Sequence, residues 1–408
     1  MPNSAPRPLP RRRGARVRSS RLLPPRPPHL AVLAVLTVLL TAACTDASDP
    51  PPPQPTGGSS PAASSPDPRP AAVVDATSAG LETRWGWPVP APGSAGVPAA
   101  DERGVVLVHR REVVVALDPG GDVLWEASVT GARDVAPLLT DELVVVPTEE
   151  GLVALGRLDG AEAWRADLGD RTNTPAVAGG VVVATTWDGV VAGMAAGDGR
   201  PLWQSRLPGG TFAGPGGSGT GGGAVAVTWD TGVEAGLVLL DAATGASRWD
   251  RPLDADGVSP PAMAGGLVVV VAGDIEAHAF AAADGSPRWS TALEGSGAAE
   301  VAPLPRGAEV LVPHRLGGMA LLELSTGEPV WTASSESAVV DGGVTGPGPA
   351  GSFALGLVDG SVLLADGTGT RLLTAAAPLR GVAGLPDGTL VVTTAKGEAN
   401  AVVGLTGW

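Results

Sequence analysis

The 408-residue chain is rich in Ala, Gly, Pro and Val, has no Tyr, three Phe and a single Lys (Lys396), and is long enough for one large β domain or two ordinary ones. Its formal charge is −15, but the first 43 residues hold eight Arg and no acid, so the remainder carries 19 basic against 42 acidic residues, a net of −23. So acidic a body repels phosphate backbones and excludes nucleic acid as a partner, and one cysteine, Cys44, excludes an intrachain disulfide and a Cys-rich metal site.

Residues 1–29 are basic and Pro-rich, with Arg11, Arg12 and Arg13 in a row. An apolar run, Leu30-Ala-Val-Leu-Ala-Val-Leu-Thr-Val-Leu-Leu40, follows and ends in Thr41-Ala-Ala-Cys44. Basic flank, short apolar run and small residues predict a signal peptide over 1–43. The run is shorter than the roughly 20 residues of a membrane span. The small residues closing on Cys44 resemble a bacterial lipobox, with Thr41 where that pattern prefers Leu. The resemblance implies that Cys44 is diacylated, carries palmitate-type chains and becomes the mature N-terminus. A diacylglyceryl-Cys supplies the two chains that stable membrane anchoring needs. The alternatives are a plain signal peptide cut nearby, or an uncleaved anchor. Residues 44–75 are Pro, Ser, Ala and Gly with almost no large apolar side chain, which predicts a disordered, semi-extended tether.

From residue 76 to 408 one word recurs. Its clearest copy is Asp241-Ala-Ala-Thr-Gly-Ala-Ser-Arg-Trp249, and five others end in Trp125, Trp164, Trp203, Trp289 and Trp331. Each has a Gly four residues before its Trp: Gly121, Gly160, Gly199, Gly245, Gly285 and Gly327. Successive Trp residues stand 39, 39, 46, 40 and 42 positions apart. Between words lie short Val-rich runs separated by turn residues, as in Pro261-Ala-Met-Ala-Gly-Gly-Leu-Val-Val-Val-Val-Ala272. Four such runs per repeat predict one four-stranded antiparallel sheet, with helices nearly absent. A lone sheet cannot bury both faces, so the sheets must pack around an axis as a β-propeller. The Trp ring is then expected to fill the gap between blades, and the Gly to take a positive φ and let a neighbouring backbone come close.

The C-terminal runs 379–394 and 401–404 supply three strands without a fourth, and the segment around Trp85, 40 residues before Trp125, supplies a fourth without the other three. Pairing them gives eight blades and leaves no open ring. Seven remains the alternative if the ends do not pair.

The repeated word resembles the Ala-x-Asp-x-x-Thr-Gly-x-x-x-Trp motif of the pyrroloquinoline-quinone (PQQ)-like propeller repeat family. That family includes quinoprotein dehydrogenases, outer-membrane assembly lipoproteins and non-enzymatic binding proteins. The dehydrogenases hold their quinone against a vicinal disulfide and use a calcium site of Glu, Asn and Asp, and this chain has no cysteine pair. A calcium site would have to draw on Asn173 with Asp134, Asp170 or Glu300; the plainer reading leaves these acids in solvent at the channel mouth. His109, His278 and His314 are too dispersed for a triad or a zinc cluster and read as strand-end or turn residues, or as one channel ligand. Trp187 and Trp229 fall outside the docking word, in Thr186-Trp-Asp188 and Thr228-Trp-Asp230. They suggest either rim packing or an exposed aromatic pair for a partner or carbohydrate. The glycine-rich run 209–223 contains no strand-to-helix phosphate loop and reads as a flexible insertion.

These readings predict an exported, monomeric, non-catalytic binding or scaffolding module without a cofactor. It would be held by lipid at the extracytoplasmic face of the cell membrane and engage another envelope protein. The alternatives are a divergent quinoprotein-like oxidoreductase and a receptor for a sugar or peptide.

Overall fold

The computed structural model describes residues 74–75 and 80–408 apart from short stretches, the longest being 209–222, 294–300 and 395–400. The chain divides into two units, Met1–Ser64 and Ser65–Trp408, and every described residue belongs to the second. The signal residues, Cys44, the tether, Glu300 and most of the glycine-rich run therefore lie outside the described residues.

Eight antiparallel sheets follow one another along the chain. Blade 1 consists of Ala99–Asp101, Gly104–His109, Val113–Leu117 and Val123–Ser128, in that order across the sheet. Blades 2 to 6 repeat the plan over 138–167, 176–206, 224–253, 262–292 and 304–333. Blade 4 shows three strands among the described residues. Blade 7 spans 339–375 and carries a fifth strand, Val74–Asp75. Blade 8 joins both ends of the ring: Leu379–Gly384, Leu390–Thr394 and Ala401–Thr406 pair in order, and Glu82–Pro88 adds outside Ala401–Thr406. The count is eight, and the seven-bladed alternative falls because Glu82 pairs with Thr406 and Pro88 with Ala401.

The Val-rich runs read as continuous rather than alternating because both faces of each middle strand are buried. In blade 1, Val105 and Leu107 pack into a cluster with Val391 and Val402 of blade 8. Val106 and Val108, one residue out of phase, pack with Val144 and Val146 of blade 2. Eight such clusters form among the described residues, one between each neighbouring pair of blades, so the ring closes through its core as well as its backbone. Each fully buried Val or Leu contributes about 1.5–3 kcal/mol over its exposed state.

The repeated word forms the turn between the third and fourth strands. In the clearest copy Asp241 Oδ1 accepts from the Thr244 N–H (3.1 Å) and hydroxyl (2.9 Å), and Arg248 Nη2 donates to its Oδ2 (2.8 Å). These bonds, Arg248 first and Thr244 next, hold the carboxyl below its ordinary pKa. The Trp that follows reaches into the next blade. Trp125 Nε1 donates to the Arg157 carbonyl (3.1 Å), Trp164 to Ala196 (2.8 Å), Trp203 to Ala242 (2.7 Å) and Trp249 to Ala282 (3.0 Å). Trp85 does the same across the junction of the chain's ends, donating to Pro119 (2.9 Å), and Trp289 donates to Leu324 (2.8 Å). Trp331 instead lies against Phe353 of blade 7, ring centroids 6.1 Å apart.

The neighbour that crowds each word glycine is the preceding blade's indole, not the backbone anticipated from sequence. A Cβ on Gly160 (φ +67°) would stand 2.5 Å from the Trp125 ring, and one on Gly121 (φ +89°) 2.6 Å from Trp85. Gly199, Gly245, Gly285 and Gly327 meet Trp164, Trp203, Trp249 and Trp289 in the same way.

Candidate binding site at the mouth of blades 2 and 3

Because every blade runs back and forth in the same order, the word turns gather at one end of the ring. The second-to-third-strand turns and the connections between blades gather at the other. First strands of blades 1 and 2, 5 and 6, 7 and 8, and 8 and 1 touch, so the first strands lie innermost, around the axis. Just ahead of the innermost strands, single bridges Ala95–His109, Ala132–Thr148, Thr172–Thr186 and Val258–Ala272 tie the connections to the second strands.

Two of these connections, with one turn, build a compact polar cluster. The turn Thr186–Gly189 of blade 3 is fastened to the segment before it: Trp187 N–H donates to the Arg171 carbonyl (3.2 Å) and Asp188 N–H to Asp170 Oδ2 (2.9 Å). Trp187 Nε1 donates to Asn173 Oδ1 (3.0 Å). The Arg171 guanidinium lies over the Trp187 ring, 3.4 Å from its centroid, and Arg133 of blade 2 approaches the same ring at 5.5 Å. Arg133 Nη1 also donates to the Thr172 carbonyl, and Arg206 Nη2 holds Asp188 Oδ2 at 2.9 Å. Burial lowers the Arg133 pKa, opposed chiefly by Glu149; Arg171 adds to the lowering, while Asp170 and Asp134 counter it. A guanidinium stacked on an indole is worth roughly 0.5–2 kcal/mol, and its planar fork still presents donors to a carboxylate or a carbonyl.

The sequence candidates therefore separate. Trp187, Asn173 and Asp170 come together here, partly exposed. Asn173 Oδ1 is engaged by the indole, which argues against its use as a calcium ligand, and no group of three His, Cys, Asp or Glu fit to hold a metal occurs among the described residues. Trp229 does not join Trp187. It is 5% exposed, because the second strand of blade 4 runs on through Asp230 and seats the ring on Gly236, where a Cβ would stand 2.3 Å away. The expectation of an exposed aromatic pair is corrected on that ground.

His109 is buried (2% exposed), edge-on to Trp87 with centroids 5.5 Å apart, and neither ring nitrogen has a protein hydrogen-bond partner. His278 stacks on Phe280 (6.2 Å) in blade 5 and helps line a depression of about 240 Å³ with Arg288 and Trp289. The side chain of His314 lies outside the described set. Sequence reasoning missed the two arginines over Trp187. The repeat held a signal for one of them: Arg133 and Asn173 stand 40 positions apart, one repeat, each directly after a residue of a mouth bridge.

The fold and its repeated word define a closed propeller of PQQ-like repeats. A repeat-family model, PQQ_2, described as outer membrane protein assembly factor BamB, matches residues 71–186, 110–216 and 188–342, and the chain belongs to this family. Curated proteins named outer membrane protein assembly factor BamB are similar over parts of the chain. That of Burkholderia pseudomallei is 29% identical over 184 residues (43% of this chain, 46% of the relative), and that of Yersinia pestis 30% over 122 residues (28% and 31%). The chain thus spans less than half the length of the curated relatives it matches. Among solved structures, BamB from Moraxella catarrhalis superposes with a TM-score of 0.61 at 19% identity, covering 80% of this chain and 98% of that one. The WD40 domain of Sif2 gives a TM-score of 0.60 at 10% identity, so these superpositions speak for the fold alone.

Proposed function

We propose that the protein is a non-catalytic binding and scaffolding module for another envelope protein, carried as a monomer on a lipid anchor at the extracytoplasmic face of the cell membrane. In this reading residues 1–43 are the export signal, Cys44 is the diacylated anchor, 44–75 the tether and 76–408 the working ring. The observation that carries it is the family match across 71–342, together with relatives that bear the name of an assembly factor. Mouth chemistry supports it: Arg171, held over the Trp187 ring and partly exposed, offers a guanidinium of the kind enriched at protein interfaces. An oxidoreductase reading is disfavoured by the engagement of Asn173 with Trp187 and by the lack of a cysteine pair.

A pull-down from solubilised membranes tests this. Wild type should retain a defined envelope protein, and Arg171→Ala with Trp187→Ala should lose at least ten-fold of it while keeping its thermal midpoint within a few degrees. Equal retention by both proteins would remove the mouth from the interface. A quinone absorbance band on reconstitution with calcium, or dye-linked alcohol or sugar oxidation, would overturn the non-catalytic reading altogether.

A further inference from the structure

Outer strands of a propeller are sheet edges, and edges recruit other strands unless they are blunted. Here seven of the eight are blunted by the same device. In blades 1 to 6 and in blade 8 the register slips by one residue immediately before the Trp position, for example between Glu162 and Trp164 and between Thr83 and Trp85. Such a bulge breaks the even spacing of the free N–H and C=O groups and twists the edge away. Blade 7 differs. Leu373 replaces the Trp, and the outer strand Thr370–Ala375 pairs without interruption from Ser361–Thr374 to Ala365–Thr370. It is on this regular edge, and on no other described one, that an extra strand sits: Val74 pairs with Ala375 and Asp75 with Thr374, antiparallel.

We propose that the outer edge of blade 7 is a strand-addition site, which holds the chain's own Val74–Asp75 and takes an extended peptide of a partner polypeptide in their place. A two-residue ladder is weak, and a peptide pairing along all of Thr370–Ala375 makes more backbone bonds than the resident strand. Leu372, 51% exposed on the same strand, gives the occupant an apolar contact, whereas Leu373 is fully buried on the opposite face. The favoured occupant is extended, with β-branched residues at alternate positions, and free of Pro, which would delete a ladder donor. Only the partner half of this proposal rests on the binding-module reading; the resident strand stands by itself.

The test uses the full-length chain and the double substitution Val74→Pro, Asp75→Pro, which removes the resident strand's ladder N–H whichever of the two residues donates it. Backbone amide exchange at the paired residues Thr374 and Ala375 should become at least ten-fold faster, with the outer strand of blade 1 unchanged as the folding control. A fluorescein-labelled peptide of residues 71–79 should bind the variant at least ten-fold tighter than wild type and restore protection at Thr374 and Ala375. An unrelated nine-residue peptide of alternating Val and Thr should displace it. Unchanged exchange would overturn the resident strand. Equal peptide affinity for both proteins, or binding without protection of 370–375, would overturn the site, and failure of the Val–Thr peptide to compete would confine the edge to its own chain. None of these outcomes bears on retention of an envelope protein through Arg171 and Trp187, so the two readings fail separately.

Discussion

His109 shows what a single buried group does to the whole. Burial holds its pKa below the ordinary 6.5; the Glu126 carboxylate opposes this and Arg110 reinforces it. At neutral pH the ring is therefore neutral in the fold, and on acidification the unfolded chain takes up its proton first, near pH 6.5. The unfolded state binds more protons in acid, so the stability tied to this residue is present above about pH 6.5 and is lost as pH falls below it. His278 is shifted the same way, by burial against the opposing Glu276. His109→Phe preserves an aromatic against Trp87 and removes both unsatisfied nitrogens. Thermal melts between pH 7 and pH 5 should show a smaller fall in midpoint for this variant than for wild type, and an unchanged slope would mean that His109 does not titrate on unfolding. At this scale the sequence identified His109 as a strand-end residue, but its burial against Trp87 comes from blade 8 closing on blade 1, which no local pattern encodes.

At the scale of the element, the repeated turn and the indole it receives act as one unit. Gly160 and Gly169 both belong to the second repeat and both hold a positive φ (+67° and +77°), but Gly160 lies under Trp125 and Gly169 faces open space. Gly169→Ala should cost only left-handed strain, about 1–2 kcal/mol. Gly160→Ala adds overpacking against the ring and should cost roughly 2–5 kcal/mol. Chemical denaturation of the two variants separates the terms, and equal losses would show that the indole yields freely. The turn was readable in advance, since Gly and Trp recur at a fixed spacing of four. The bulge before each Trp was not, because a register slip depends on the partner strand. Its absence from blade 7 follows the one place where Leu373 stands for Trp, and there the free edge is regular enough to be occupied.

For the whole molecule, the proposed anchor makes a separate demand. If Cys44 is diacylated, metabolic labelling with palmitate should mark the wild-type protein and leave Cys44→Ser unlabelled and released from the membrane fraction. Equal label and equal sedimentation would reject the anchor and leave the ring reading untouched. The division of labour between sequence and structure has a clear physical basis. Repeat period, turn chemistry and Val-rich runs are local, so the chain's own sequence determined a propeller, the pairing of its two ends and the position of each docking indole. Which side chains meet at the mouth was decided only by tertiary closure. Trp187 and Trp229 occupy the same word, Thr-Trp-Asp, yet in blade 3 the strand stops at Thr185 and leaves its Trp in a turn under Arg171, while in blade 4 the strand continues and buries its Trp on Gly236. One aromatic stays partly exposed at the mouth and the other faces the core, and the difference lies in the neighbours each blade brings to it.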